Sequence, residues 1–263
     1  MSLTYIKRFV FGSVPAHFID MVSDILWEFI ERIGGPEYLE VYFYGSREEK
    51  LAFLEGEALE LGVIAVGDFV AMHEAWRGWP RIHIDYERCS LLKEEHLRAV
   101  IVHEVSHAVL HGSPIYYVVG FSPSDFPGYS SDDIAKILYM ASTIVKDLDV
   151  YGFLVEMGMH GAIDGYIDFI LREQFVGGSC SGVEDVLQLA KTLLPCIFVE
   201  RCPLIDMVSK DCIDTANRLL NILMNFRVGR TGDLSTDTVS LAKQLIEARP
   251  AKHTPNSRSS SST

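Results

Sequence analysis

The sequence predicts an α+β protein in which a small mixed sheet packs on helices and an all-helical half follows. Three observations lead to this prediction. Segments rich in β-branched and aromatic residues are confined to the first third of the 263-residue chain, where helical patterns alternate with them. From Asp132 onward, apolar residues recur at helical spacing and strand-type segments no longer occur. Strands that are segregated from a run of helices are typical of the α+β class.

The first predicted elements alternate between helix and strand. Ser13 and Pro15 indicate the start of a helix, because a hydroxyl caps free backbone N–H groups and proline is tolerated in the first turn. Apolar residues then repeat at helical spacing until Gly34, which ends this helix. The aromatic segment Tyr38–Tyr44 predicts a strand, and Arg47–Leu61, with leucines at helical spacing, predicts a second helix.

Two further strands are predicted at Phe69–Ala75 and Arg81–Tyr86, with a turn at residues 78–80 between them. In the second of these strands apolar and polar side chains alternate along the chain. Successive side chains of a strand point to opposite faces of the sheet, so we expect one buried face and one polar face. His83 belongs to the polar face.

The remaining chain is predicted to be helical. Lys93–His111 forms one helix that Gly112 ends, and Phe121–Ser131 is a loop rich in proline, glycine and serine. Later helices are predicted at Asp132–Met157, Ala162–Phe175, Val183–Leu194, Leu204–Phe226 with a break, and Thr236–Ala248. The polar, serine-rich segment Pro250–Thr263 predicts a disordered tail. The chain is therefore expected to divide into an α/β half (1–127), a helical half (128–249) and a tail (250–263).

Composition and charge argue against several classes of function. The chain is 48% hydrophobic and 22% charged, which is typical of a globular protein. Its net charge of −13 argues against nucleic acid or an anionic membrane surface as the main partner. No apolar run is long enough to span a membrane, and Met1–Phe11 does not resemble a signal peptide. Five cysteines without CxxC spacing predict reduced thiols in a cytoplasmic protein, with one or two disulfides as the alternative.

The motif helix contains His103-Glu104-Val105-Ser106-His107, a HExxH pattern within the apolar run Leu97–Leu110. Residues four apart lie on the same helix face, so both imidazoles can bind one Zn²⁺. Glu104 is then placed beside the ion, where it can accept a proton from an activated water. Burial of these side chains without partners is unfavourable, and a bound metal ion removes that cost.

A catalytic zinc ion needs a third protein ligand, and the sequence offers four candidates. His111 lies too far along the same helix to share the metal and is expected to cap the helix or line the cleft. His83 lies on a strand before the motif, and His160 lies in a glycine-flanked loop. The fourth candidate is the acidic pair Asp147 and Asp149, whose ordinary interpretation is a solvated helix face.

Together, the HExxH helix and the later acidic segment resemble the zincin metallopeptidases. The resemblance is to the gluzincin branch, which contains CaaX-type endopeptidases and small soluble zincins. In that branch a later helix has the pattern acid-x-x-small-Asp/Asn-x-Phe-Ala, and its first acid binds zinc. Residues 147–154 (DLDVYGFL) fit this frame with Phe153 in register. His103 through His111 also match the HExxHxxLH pattern of soluble members.

The resemblance implies a zincin-like fold and a single Zn²⁺ held by His103, His107 and Asp147. A shift of two residues in the register would make Asp149 the ligand instead. Tyr151 stands where the family has Asp or Asn. The carboxylate that normally orients a zinc ligand is therefore absent or comes from another residue.

The implied function is that of a zinc metalloendopeptidase acting on peptides or proteins, with Glu104 as the general base. Tyr151, Tyr116 and His160 are candidates for stabilising the oxyanion. A substrate would add as a strand to Arg81–Tyr86. One alternative is a zincin-fold metal-binding regulatory or interaction protein without general protease activity, and another is a helical structural protein with an accidental motif. Substrate preference and oligomeric state are not indicated by the sequence.

Overall fold

The computed structural model describes residues 4–63, 69–173 and 179–249, and it confirms the predicted α+β class. A mixed sheet is formed in this part of the chain by the strands β1 (Tyr5–Phe11), β2 (Tyr38–Tyr44), β3 (Ala71–Glu74) and β4 (Arg81–Asp85). The strand order is β1-β2-β4-β3. β1, β2 and β4 are parallel, whereas β3 pairs antiparallel with β4 and lies at the edge.

Apart from the short helix at Tyr86–Cys89, which was not predicted, the described helices lie close to the predicted positions. They are α1 (Ala16–Ile33), α2 (Arg47–Leu61), α3 (Tyr86–Cys89), α4 (Glu94–Leu110), α5 (Ser131–Glu156), α6 (His160–Glu173), α7 (Val183–Leu193), α8 (Ile213–Gly229) and α9 (Leu234–Glu247). The helix predicted at Leu204–Phe226 with a break consists of two 3₁₀ turns, Pro203–Met207 and Lys210–Cys212, followed by α8. The predicted tail at 250–263 lies outside the described residues.

Capping residues fix where two of these helices begin. The Ser46 hydroxyl accepts a hydrogen bond from the Glu49 N–H, and the Glu49 carboxylate accepts one from the Ser46 N–H, at 3.3 and 3.0 Å. Ser130 and Asp133 form the same reciprocal pair at the start of α5. Each pair satisfies backbone N–H groups that have no partner within the helix. The starting point of α5 matters because this helix carries Asp147.

The strand β1 was not predicted from the sequence. Lys7 and Arg8 interrupt its apolar pattern, and both faces of this edge strand are partly exposed, so strict alternation is not required. The prediction that Arg81–Tyr86 is the edge strand was wrong, because β4 is paired on both sides. Its polar face was expected to be distinct from the core, but all five β4 residues are buried.

The two faces of the sheet are covered differently. One face contributes Val41, Phe43 and Ile84 to an apolar core shared with α1 and α4. The other face lies under α2, where Lys50 Nζ and Asp85 Oδ2 form a fully buried ion pair at 2.6 Å. The polar side chains of β4 are therefore covered by α2 and paired there, and they do not face solvent.

Cysteine pairing differs from the prediction of reduced thiols. Disulfide bonds join Cys180 to Cys212 and Cys196 to Cys202, while Cys89 is free and buried. The two pairs are separated by 32 and 6 residues, and the packing of the helical half brings them together. In the described part of the chain, no helix combines the length and the apolarity needed to cross a bilayer.

Candidate metal centre

The candidate metal centre lies where α4 packs against α5. α4 carries His103, Glu104 and His107, and α5 carries Asp147. The four residues are 4–8% exposed, because the sheet, α1, α5 and α6 surround α4. A histidine or carboxylate without a binding partner is rarely buried to this extent, because its desolvation is unfavourable. We therefore expect these side chains to bind one another or a metal ion.

Three ligand atoms from these helices converge on one point. His107 Nε2 lies 2.9 Å from Asp147 Oδ1 and 3.2 Å from His103 Nε2. The remaining distance, from His103 Nε2 to Asp147 Oδ1, is 3.6 Å. A tetrahedral Zn²⁺ with bonds of about 2.0–2.1 Å has ligand atoms roughly 3.3 Å apart. The triangle of two imidazoles and one carboxylate therefore has the size and chemistry of three zinc ligands, and it could hold a metal ion.

The ionisation states suit metal binding. Burial lowers the pKa of His107 to about 3, so its imidazole is neutral at physiological pH. Burial alone would raise the pKa of Asp147, but the charge of Lys191 and hydrogen bonds from His103 and His107 hold it well below its usual value. A neutral imidazole and an ionised carboxylate are the forms that bind metal ions.

Glu104 lies beside this triangle and is held by the edge strand. Its Oε2 accepts a hydrogen bond of 2.7 Å from the backbone N–H of His73 in β3. Burial raises the pKa of Glu104 to about 7, with a smaller opposing effect from His103. A carboxyl group with a pKa near neutrality is suited to accepting and returning protons.

The other histidines that were candidates for the third ligand lie elsewhere. His83 contacts Tyr44 Oη at 2.8 Å and Glu74 Oε1 at 3.0 Å on the sheet face covered by α2. His160 begins α6 and does not join the group of converging ligand atoms found among the described residues. His111 follows the last residue of α4, and its ring contacts both His107 and Asp149. Asp149 thus faces His111 and not the ligand triangle.

Aromatic rings enclose His103. The Tyr166 ring on α6 stacks on the His103 ring, with centroids 4.4 Å apart, and the Tyr151 ring lies 5.3 Å away. The Tyr116 ring instead packs against the edge of His111 at 5.0 Å. Of the three candidates for stabilising the oxyanion, Tyr151 packs against a ligand of the triangle, whereas Tyr116 packs against His111 and His160 begins α6.

A second group beside the centre was not identified from the sequence. Tyr117 Oη lies 3.0 Å from His73 Nδ1, and the His73 ring is parallel to the His107 ring with centroids 6.0 Å apart. The buried Lys146 Nζ lies 4.1 Å from the centre of the Tyr117 ring. His73 is on a short strand about 30 residues before the motif, so sequence spacing gave no signal for it. For Lys146, the one indication in the sequence that it lies near the centre was its position next to Asp147.

Comparisons of this chain with protein-family models, curated proteins and solved structures found no match. The function therefore has to be inferred from the side chains of the site.

Proposed function

We propose that this protein is a zincin-like, zinc-dependent metallopeptidase. The observation that carries the proposal is the convergence of His103, His107 and Asp147 on one point with Glu104 beside it. Two imidazoles and one carboxylate leave the fourth position of a tetrahedral site open, which is typical of catalytic zinc and not of structural zinc. When bound, the ion supplies a Lewis acid that polarises a carbonyl group and makes a water molecule more acidic.

Glu104 is the proposed general base. The His73 N–H holds Oε2, which leaves Oε1 to accept a proton from the attacking water. With its pKa near 7, the same carboxyl group can return the proton to the departing amine. His103 and His107 on α4 and Asp147 on α5 keep their positions during this cycle because the two helices pack against each other.

The edge strand β3 is the proposed docking strand for an extended peptide. Among the described residues it pairs with β4 alone, and its His73 amide lies against Glu104. A peptide that adds to a sheet edge gains main-chain hydrogen bonds independently of its sequence. A peptide bound in this way would lie beside the proposed general base, on a different strand from the one that the sequence had suggested.

One observation favours a second function, metal binding in a regulatory or interaction protein without general proteolysis. The three ligands and Glu104 are each less than a tenth exposed, so a large substrate has little access in this conformation. In that case the metal would hold α4 against α5 and Glu104 would have no role in turnover.

A comparison of Glu104→Gln with the original protein separates the two functions. Both proteins should bind one equivalent of zinc, measured by elemental analysis after purification without chelators. If Glu104 is the general base, cleavage of unfolded protein and peptide substrates should fall by about 10²–10⁴-fold in the variant. Equal cleavage by both proteins would remove Glu104 from the mechanism, and zinc binding without cleavage by either would favour the regulatory function.

A further inference from the structure

We infer that His111, Asp149 and Arg230 form a hydrogen-bonded relay that positions His107 as a metal ligand. The inference rests on the metal-binding part of the proposed function and assigns a role to residues outside the ligand triangle. The zincin resemblance leads to the expectation of an acidic residue that orients a zinc ligand, but Tyr151 stands at that position. The relay supplies such a carboxylate from another residue.

The relay runs away from the metal position through three contacts. His107 Nδ1 lies 3.1 Å from His111 Nδ1, and His111 Nε2 lies 3.2 Å from Asp149 Oδ2. Arg230 Nη1 donates to Asp149 Oδ1 at 2.5 Å. The His111 side chain is only 2% exposed, so its contact with His107 is shielded from water, whereas the Asp149 side chain is 34% exposed.

Arg230 is itself held in place by a second acid. Its Nε donates to Asp237 Oδ2 at 3.3 Å. Asp237, which is 2% exposed, also accepts hydrogen bonds from the N–H and hydroxyl groups of Thr231 and from the Gly232 N–H. The guanidinium is therefore fixed between two carboxylates, and the loop between α8 and α9 anchors the far end of the relay.

Metal binding sets the direction of the hydrogen bonds that link His107, His111 and Asp149 in the relay. A metal ion at His107 Nε2 leaves the proton on Nδ1, which must donate to His111 Nδ1. His111 then carries its proton on Nε2 and donates it to the Asp149 carboxylate. The opposite tautomer of His111 would place two N–H groups face to face and turn a lone pair toward a carboxylate. The relay is thus compatible with one arrangement only.

The two histidine ligands differ in this respect. The Nδ1 of His103 is buried and has no hydrogen-bond partner among the described residues, and aromatic rings hold its plane instead. His107 has a chain of polar groups that ends in an ionised carboxylate. Carboxylates that accept from a ligating imidazole orient the ring and increase its basicity. We therefore assign the orienting function to Asp149, acting through His111.

The test compares Asp149→Asn with Asp125→Asn. Asp125 is a matched control because its carboxylate also pairs with a cation from the C-terminal region, Lys243 Nζ at 2.7 Å, but takes no part in the relay. Zinc dissociation constants are measured by competition with a chelator. Asp149→Asn should weaken zinc binding by about 10–100-fold, whereas Asp125→Asn should leave it unchanged. Equal affinities for the two variants would overturn the inference.

Nuclear magnetic resonance of the zinc-loaded original protein gives a second test that does not depend on a variant folding. Long-range proton–nitrogen correlations should place the ring proton of His107 on Nδ1 and that of His111 on Nε2. A proton on His111 Nδ1 would contradict the relay even if zinc binds and peptides are cleaved. If the original protein binds no zinc, the proposed function itself fails, and the relay loses its role with it.

Discussion

Replacing Glu104 by glutamine is expected to stabilise the metal-free protein at alkaline pH. Burial raises the pKa of Glu104 from 4.5 to about 7. The carboxyl group is therefore protonated more readily in the folded chain than in the unfolded chain. Its contribution to stability is complete below pH 4.5 and is lost as the pH rises through 7. A pKa difference of one unit corresponds to about 1.4 kcal/mol, so the loss amounts to about 3 kcal/mol.

Glutamine has nearly the same shape as the protonated carboxyl group and never ionises. Its side-chain oxygen can still accept the hydrogen bond from the His73 N–H. In urea unfolding with a chelator present, the unfolding free energy of Glu104→Gln should exceed that of the original protein by about 3 kcal/mol at pH 8. At pH 5 the advantage should fall to less than about 1 kcal/mol, because the original carboxyl group is then mostly protonated in the folded state.

A control variant separates this effect from a general loss of negative charge. Glu94 lies exposed in the first turn of the same helix, so Glu94→Gln should not reproduce the gain at pH 8. Saturating zinc should reduce the advantage of Glu104→Gln, because a neighbouring cation favours the ionised carboxylate. Equal unfolding free energies for Glu104→Gln and the original protein at pH 8 would refute the conclusion that burial disfavours ionisation of Glu104.

Three further predictions concern packing and pairing. Lys50→Met should cost about 3–5 kcal/mol in urea unfolding because it leaves the Asp85 carboxylate buried without its partner, and adding Asp85→Asn should recover part of the loss. Tyr166→Leu removes the ring stacked on His103 and should raise the zinc dissociation constant by up to about tenfold. Without reductant, the unfolded chain should expose one reactive thiol, that of Cys89, and five thiols would contradict the disulfides.

The choice between Asp147 and Asp149 shows where sequence reasoning reached its limit. HExxH spacing alone predicts that two imidazoles share a helix face, and α4 has this geometry. Residues two positions apart in a helix are rotated by about 200° around its axis, so the side chains of Asp147 and Asp149 point to different sides of α5. Which side faces His107 depends on how α5 crosses α4, and that is a tertiary property. The resemblance to zincins selected Asp147, the residue that the structure brings to the triangle.

The sheet was less accessible to prediction for a related reason. Alternation in Arg81–Asp85 indicated a strand correctly, but it does not say which strands lie on either side or what covers the polar face. β4 is internal because β1 and β2 extend the sheet on one side and β3 returns antiparallel on the other. The pairing of four cysteines likewise depends on packing among the later helices, which spacing alone does not reveal.

The burial of Glu104 bears on the choice between a hydrolase and a metal-binding protein without turnover. Both functions require His103, His107 and Asp147, and both gain from a metal that holds α4 against α5. Neither the helix contact nor the metal triangle requires a carboxylate at position 104. Its ionisation costs the metal-free fold about 3 kcal/mol, which glutamine would avoid while keeping the contact with β3. A destabilising carboxylate beside an open metal position is expected where proton transfer is needed, and this favours the hydrolase.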